Sequence, residues 1–302
     1  MDPLESLKLA TRQQPLDGKY SIMTKLTKGG FGTIYIGSDQ QDHMKVVIKI
    51  EEAKQGLQKE YEFYNLLEGA LGIPRCIWCG PVPNSEDTAL VMDCMGSHLN
   101  SIFKKCKKNF SLKTILIIAL QLITILEAVH QRNIIHRDVK PANIVIGKGS
   151  KASQLYLIDF GLSEYYRNPN TGEHIKQEED ITPHGTPYYC SANHCLGTTA
   201  SRRDDLESAA YILLRFLNHG YTPWEFHKHG DWQKTGLLKR SRMPSSLFVG
   251  HSPAFAQYLM YCRNPEFTQE PDYEYLRELF QEEFQKNGFT MEGFSFENLK
   301  QL

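Results

Sequence analysis

At Gly96 the apolar pattern changes period. Before it, the runs Tyr20–Leu26, Thr33–Ser38, Lys45–Ile50 and Ala89–Met92 are bounded by Gly, Asp and Asn and read as strands. One helical stretch, from about Leu57 to Glu68, interrupts them and stops at Gly69. After Gly96 helical spacing takes over. Leu112, Ile115, Ala119, Leu122, Leu126 and Val129 follow the cap residue Ser111. Asp205–Leu217 ends at His219-Gly220 with Pro223 beyond. Ser252-Pro253 is a cap followed by proline at the first helical position, and Asp272–Lys286 is stopped by Gly288. A β-rich part followed by a helical part predicts an α+β fold of two lobes with a cleft between them. The expected divisions are a loosely held N-terminal arm over residues 1–18, a small β-rich lobe over 19–95 and a larger, mainly helical lobe over 96–302.

The 302 residues, 41% of them hydrophobic, suffice for a sizeable core. A net charge of −1 gives no global pull toward nucleic acid or a membrane surface, so neither is expected as a partner and any anion site is local. Seven cysteines are an odd number without a disulfide-like framework, and no signal peptide is evident, which predicts a reducing cytoplasmic setting, with the nucleus as a second location. The apolar stretch Thr114–Val129 contains Gln121, Thr124 and Glu127 and falls short of the roughly 20 residues a spanning helix needs. It reads as a buried helix. Cys76 and Cys79 have metal-like spacing without a second pair nearby, so packing beside strands is the expectation. Lys104-Lys105 with Lys107-Lys108, and Lys239-Arg240-Ser241-Arg242, read as solvated faces, the second also suiting nuclear import or anion binding.

Four groups of residues carry chemistry. In His136-Arg137-Asp138-Val139-Lys140-Pro141-Ala142-Asn143, Asp138 can accept the proton of an attacking hydroxyl. Asn143 can hold a magnesium ion, and Lys140 can neutralise charge on a transferred phosphate. Asp159-Phe160-Gly161 begins 21 residues after Asp138 and follows a strand-like run, which places a second carboxylate for the metal. Lys49 closes the strand Val47-Ile48-Lys49 and can grip α- and β-phosphates if Glu60, on the following helix, holds it straight. Thr27-Lys28-Gly29-Gly30-Phe31-Gly32 is a glycine turn between strands through which backbone amides can approach phosphate oxygens. By itself each has a bland reading: a polar loop, a turn, a solvated lysine, a hairpin. Their order along one chain does not.

Together these residues resemble the eukaryotic protein kinase superfamily. Lys140, two places after Asp138, resembles the serine/threonine type, and Gly185-Thr186-Pro187 resembles the end of an activation segment, with Thr186 placed to hydrogen-bond near Asp138 and Lys140. Closer likeness is to the casein kinase 1 family. It is carried by Leu71-Gly72-Ile73-Pro74, Trp78-Cys79-Gly80, Phe110-Ser111-Leu112-Lys113-Thr114, Ser191-Ala192-Asn193, Ser201-Arg202-Arg203-Asp204-Asp205-Leu206-Glu207-Ser208 and Pro271-Asp272-Tyr273. The resemblance implies ATP and Mg2+ as cofactors, protein substrates with acidic residues near the target hydroxyl, and activity without activation-segment phosphorylation; a monomer is the default expectation. It also implies adenine against a hinge at Asp93–Met95 with Met92 as gatekeeper, and Asp205 bracing the catalytic loop.

The chain departs from the family pattern at two places. Thr27 stands where the first glycine of Gly-x-Gly-x-x-Gly belongs. Tyr188 occupies the position of an arginine that forms the family's anion pocket, and Lys234 aligns with a second basic member. Arg202 and Arg203 are other sources of charge, and the acidic run Gln177-Glu178-Glu179-Asp180 has two equal readings, one that orders the segment by pairing with basic neighbours and one as a solvated loop. Weak dependence on already phosphorylated substrates follows. Two rivals remain: a catalytically dead scaffold, expected to lack one of Lys49, Asp138, Asn143 or Asp159, and a kinase for small molecules.

Overall fold

A computed structural model describes residues 3–29, 32–52, 56–225 and 231–299. They fall into two compact units, 1–69 with 73–95 and 159–161, and 70–72 with 96–158 and 162–302.

The first unit is an antiparallel sheet of β1 (Tyr20–Gly29), β2 (Gly32–Asp39), β3 (Lys45–Glu51), β4 (Cys76–Pro81) and β5 (Thr88–Asp93), with strand order β1-β2-β3-β5-β4. Tyr20, Ile22, Val46, Ile48 and Val91 fill its core. α1 (Pro3–Gln13) and α2 (Gly56–Leu66) complete the unit. The region expected as a loose arm is thus largely helical. Leu4 and Leu7 of α1 pack on the sheet core, and the buried Thr11 hydroxyl accepts the amide of Ile22 at 3.1 Å. Such a short helix is marginal by itself and draws its stability from docking its apolar face on the sheet.

α2 turns Leu57, Glu60, Phe63 and Tyr64 inward at spacings of three and four, so a carboxylate sits in an otherwise apolar face. β4 was not legible as a strand. Its Trp78 and Cys79 pair with Val91 and Leu90, and the Cys76 and Cys79 thiols donate to the carbonyls of Val91 and Leu57. Burial pushes both thiols up, Cys79 to about 11, as packed rather than reactive cysteines.

At the β1–β2 hairpin Gly29 faces Gly32, Thr27 faces Ile34, and Gly30 and Phe31 lie outside the described residues. Gly32 has φ +114°, and a Cβ there would stand 2.3 Å from the carbonyl oxygen of Ile50. The fold itself demands this glycine, whatever it does for a phosphate.

The second unit holds α3 (Leu99–Lys105), α4 (Leu112–His130), α5 (Ala192–Cys195), α6 (Arg202–Leu217), α7 (Trp232–Ser241), α8 (Pro244–Leu247), α9 (Pro253–Arg263) and α10 (Tyr273–Lys286). Two short ribbons pair β6 (Ile134–Ile135) with β9 (Glu164–Tyr165) and β7 (Ile144–Ile146) with β8 (Leu155–Leu157). Among the described residues α4 alone is long and apolar enough to cross a bilayer, but most of it is buried against α6, α10 and β8. Ser111 caps it, its hydroxyl accepting the Thr114 amide at 3.2 Å. α6 begins earlier than predicted, because Ser201 and Asp204 form a reciprocal capping box.

That early start turns Arg202 and Arg203 inward. Arg202 lies over the Tyr166 ring and donates to the carbonyl of Thr268, while Arg203 donates to the carbonyl of Pro265. Neither is the free surface cation the sequence suggested. In the basic run 239–242 the solvated reading holds for Arg240, Ser241 and Arg242, which are exposed, but not for Lys239, which is fully buried.

Candidate active site

The first unit contributes one group. Lys49, on β3, donates to Glu60 at 2.7 Å and to Asp159 at 2.8 Å. The pairing inferred from position alone is present. Burial lowers the affinity of the ammonium for its proton, but the two carboxylates outweigh it and hold its pKa above the ordinary lysine value. Burial pushes the Glu60 carboxyl up to about 7, against the pull of Lys49. Lys49 therefore stays charged, and Glu60 is the carboxylate under strain.

Asp159 has φ +69°, an unfavourable left-handed conformation for a residue with a Cβ. Tyr64 of α2 holds it there: the Asp159 amide donates to the tyrosine hydroxyl at 3.0 Å, and the Phe160 ring meets the Tyr64 ring edge-on at 5.0 Å between centroids. Met92 is buried on β5 opposite Val47, and Asp93 is opposite Val46, its amide donating to the Arg75 carbonyl at 3.1 Å. Met95 is half-buried just beyond β5.

The second unit contributes the other group. Asp138 receives three side-chain donors: Thr186 Oγ1 at 2.8 Å on Oδ1, and Lys140 Nζ at 2.5 Å and Asn143 Nδ2 at 3.2 Å on Oδ2. Lys140 also donates to Thr186 at 3.2 Å, and Asn143 to the Asp138 carbonyl at 3.0 Å. With its NH2 group turned to Asp138, the Asn143 amide presents its oxygen on the opposite side.

The loop is fixed from below. His136 Nε2 donates to the Ile158 carbonyl, so its Nδ1 accepts the Asp138 amide at 3.2 Å. Arg137 has φ +65°, and Asp205 of α6 takes the amides of both His136 and Arg137, at 2.7 and 2.8 Å. Gly185, at φ +90°, brings the segment of Thr186 against the loop; a Cβ there would stand 2.8 Å from the Arg137 carbonyl. Sequence reasoning missed Tyr64. No local motif marks it, because it acts through Asp159, 95 residues away in sequence.

Each unit by itself offers an oxygen ligand of the kind magnesium takes, the Asp159 carboxylate in the first and the Asn143 amide oxygen in the second. Among the described residues no cluster of three His, Cys, Asp or Glu side chains forms a self-sufficient metal site.

The family model for the protein kinase domain matches residues 20–253, and the chain belongs to that family. Its β-sheet N-terminal region and helical C-terminal region are those of a kinase domain. The activity is phosphotransfer to protein substrates, for which domains of this family use ATP and magnesium.

Proposed function

We propose that the chain is a serine/threonine kinase of the casein kinase 1 type. The observation that carries this is the bonding of Lys140 to both Asp138 and Thr186. It holds a lysine where charge on a transferred phosphate develops, beside the group that receives the hydroxyl proton. In this reading Asp138 orients the substrate hydroxyl and takes its proton. Lys49, aligned by Glu60, binds α- and β-phosphate oxygens. Asp159 and Asn143 hold magnesium, and the hinge residues Asp93 and Met95, with Met92, face adenine. Magnesium-ATP, when bound, supplies the phosphoryl group and the cation that offsets its charge. With Lys49, Asp138, Asn143 and Asp159 all present, the scaffold reading lacks its expected defect.

Two features support activity without phosphorylation of the activation segment. Arg137, the cation that a segment phosphate would neutralise, already pairs with Glu164 and donates to the Leu162 carbonyl at 2.6 Å. The segment is tethered by its backbone: the amides of Thr199 and Ile181 donate to the carbonyls of Glu178 and Gly197. The acidic run does not pair with cations. Glu179 accepts from the Thr198 hydroxyl at 2.8 Å and from Gln177, and among the described residues the run has no ion pair. Phosphatase-treated protein given magnesium-ATP and a casein-like substrate is therefore expected to release ADP, with the label on serine and threonine. Loss of activity after the treatment, or label on tyrosine, overturns the reading.

Substrate choice follows from the missing cations. Tyr188 has no charge, and its carbonyl and hydroxyl are engaged by Trp224 and the Glu225 carbonyl. Lys234 pairs with Asp231 at 3.2 Å, and Arg202 and Arg203 point inward. A phosphate-primed peptide and its unprimed twin are expected to give kcat/KM values within roughly tenfold, since exposed ion pairs contribute only about 0–1 kcal/mol. A much larger preference for the primed peptide overturns the expectation.

A further inference from the structure

We propose that Lys239 is a positioning residue for the substrate-binding stretch 186–190, its buried ammonium holding the backbone that places Thr186 on Asp138. The inference rests on the reading above, in which Asp138 receives the substrate proton.

Lys239 lies on the inward face of α7 with Thr235 and has no exposed surface. A buried ammonium is costly, and burial duly lowers its pKa from the ordinary lysine value. Among the described residues it has no ion pair. Its Nζ instead donates to the carbonyls of Pro187 at 2.6 Å and Cys190 at 2.5 Å. The rings of Tyr211 and Trp224 lie 4.5 and 5.1 Å from it, supplying cation–π attraction in a dry setting. Trp224 also donates its indole N–H to the carbonyl between them, Tyr188, at 2.9 Å. Three of four successive carbonyls are thus held by side chains from outside the stretch.

The stretch is closed on itself as well. The amides of Tyr189 and Cys190 both donate to the Thr186 carbonyl at 2.9 Å, so fixing Pro187 and Cys190 fixes Thr186. Thr186 in turn meets Asp138 and Lys140. A continuous path of bonds therefore leads from Lys239 to the proton acceptor. An apolar side chain of similar length would fill the same space without desolvating a charge, so stability alone gives no reason for a lysine. What a lysine adds is direction: it fixes two carbonyls at once.

The test is Lys239→Met, which keeps the length and removes the donors. The kcat/KM for a peptide substrate is expected to fall about tenfold or more, the scale that small displacements of a reacting group produce. The KM for the peptide should rise while the KM for ATP stays within about twofold, a split that loss of folded protein, which lowers kcat alone, cannot mimic. Hydrogen exchange at Tyr189 and Cys190 should quicken while α4 is unchanged. A folded variant with unchanged peptide kinetics and unchanged exchange overturns the proposal, as do ATP and peptide constants that worsen together. If Lys239→Met does not fold, Trp224→Phe removes the parallel tether to Tyr188 while keeping a ring beside the ammonium. A smaller shift of the same kind is expected, and a folded Trp224→Phe with wild-type constants and exchange overturns the proposal. Should wild-type protein transfer nothing to peptide, the kinase reading fails, and the exchange comparison still decides the role of Lys239.

Discussion

Asp138→Asn is expected to lower phosphotransfer to a protein substrate by roughly 10²–10⁴-fold, the range that a positioned general base contributes. The asparagine keeps the shape and one carbonyl oxygen. It can satisfy either Thr186 on one side or Lys140 and Asn143 on the other, but it turns an NH2 group toward the donors it cannot accept. Losing part of this network costs about 1.5–3 kcal/mol, as for hydrogen bonds to charged groups. In a protein of this size that lowers Tm by roughly 10 °C at most. The variant should therefore remain folded at assay temperature and still bind ATP, because none of Lys49, Glu60 or Asp159 is touched. ADP release measured with and without the protein substrate, alongside a melting curve, checks it. Undiminished turnover in the variant would remove Asp138 from the reaction. An inactive wild type would instead favour the scaffold.

The catalytic side chains were legible because phosphotransfer requires a few residue types at fixed spacing. His136–Asn143 and Asp159–Gly161 could be read as strings, and Glu60 could be assigned to Lys49 by position on a helix. The strand and helix periods were legible wherever burial was one-sided, as in β2 and α10. What escaped was written in tertiary contacts. β4 carries Cys, Trp, Gly and Pro in place of alternating β-branched residues, so only its pairing with β5 defines it. α1 is a helix because the sheet receives Leu4, Leu7 and Thr11. Lys239 was misread for a general reason. A basic run looks solvated unless carbonyls and aromatic faces wait inside the fold, and those of Pro187, Cys190, Tyr211 and Trp224 lie 15–52 residues away in sequence.

Asp205→Ala should damage stability and activity together. The buried Asp205 carboxylate takes the amides of His136 and Arg137 and pairs with His130 Nε2 at 3.1 Å, while His130 Nδ1 accepts from the Tyr273 hydroxyl at 2.7 Å. Alanine leaves two backbone N–H groups and an imidazole N–H buried without acceptors. Removing one member of a buried charged network costs about 3–5 kcal/mol, or a fall in Tm of roughly 10 °C. Arg137, one residue before Asp138, loses the bond that holds its left-handed backbone, so transfer should fall even in the folded fraction. The pH dependence separates this brace from a generic core defect. In the wild type burial opposes ionisation of Asp205, but His130, its charge and the His136 amide outweigh it and hold the pKa below 3.8. That stabilisation is present above pH 3.8 and disappears as pH falls through the lower folded value. Burial lowers His130 below 6.5 against the pull of Asp205, so its contribution is present above pH 6.5 and is lost on acidification toward its folded value. Without Asp205 the opposing pull is gone and His130 is depressed further. The variant should lose stability more steeply than wild type as pH falls below 6.5, yet lack the wild-type decline below pH 3.8. Parallel stability curves at every pH would show that Asp205 carries no charge worth bracing.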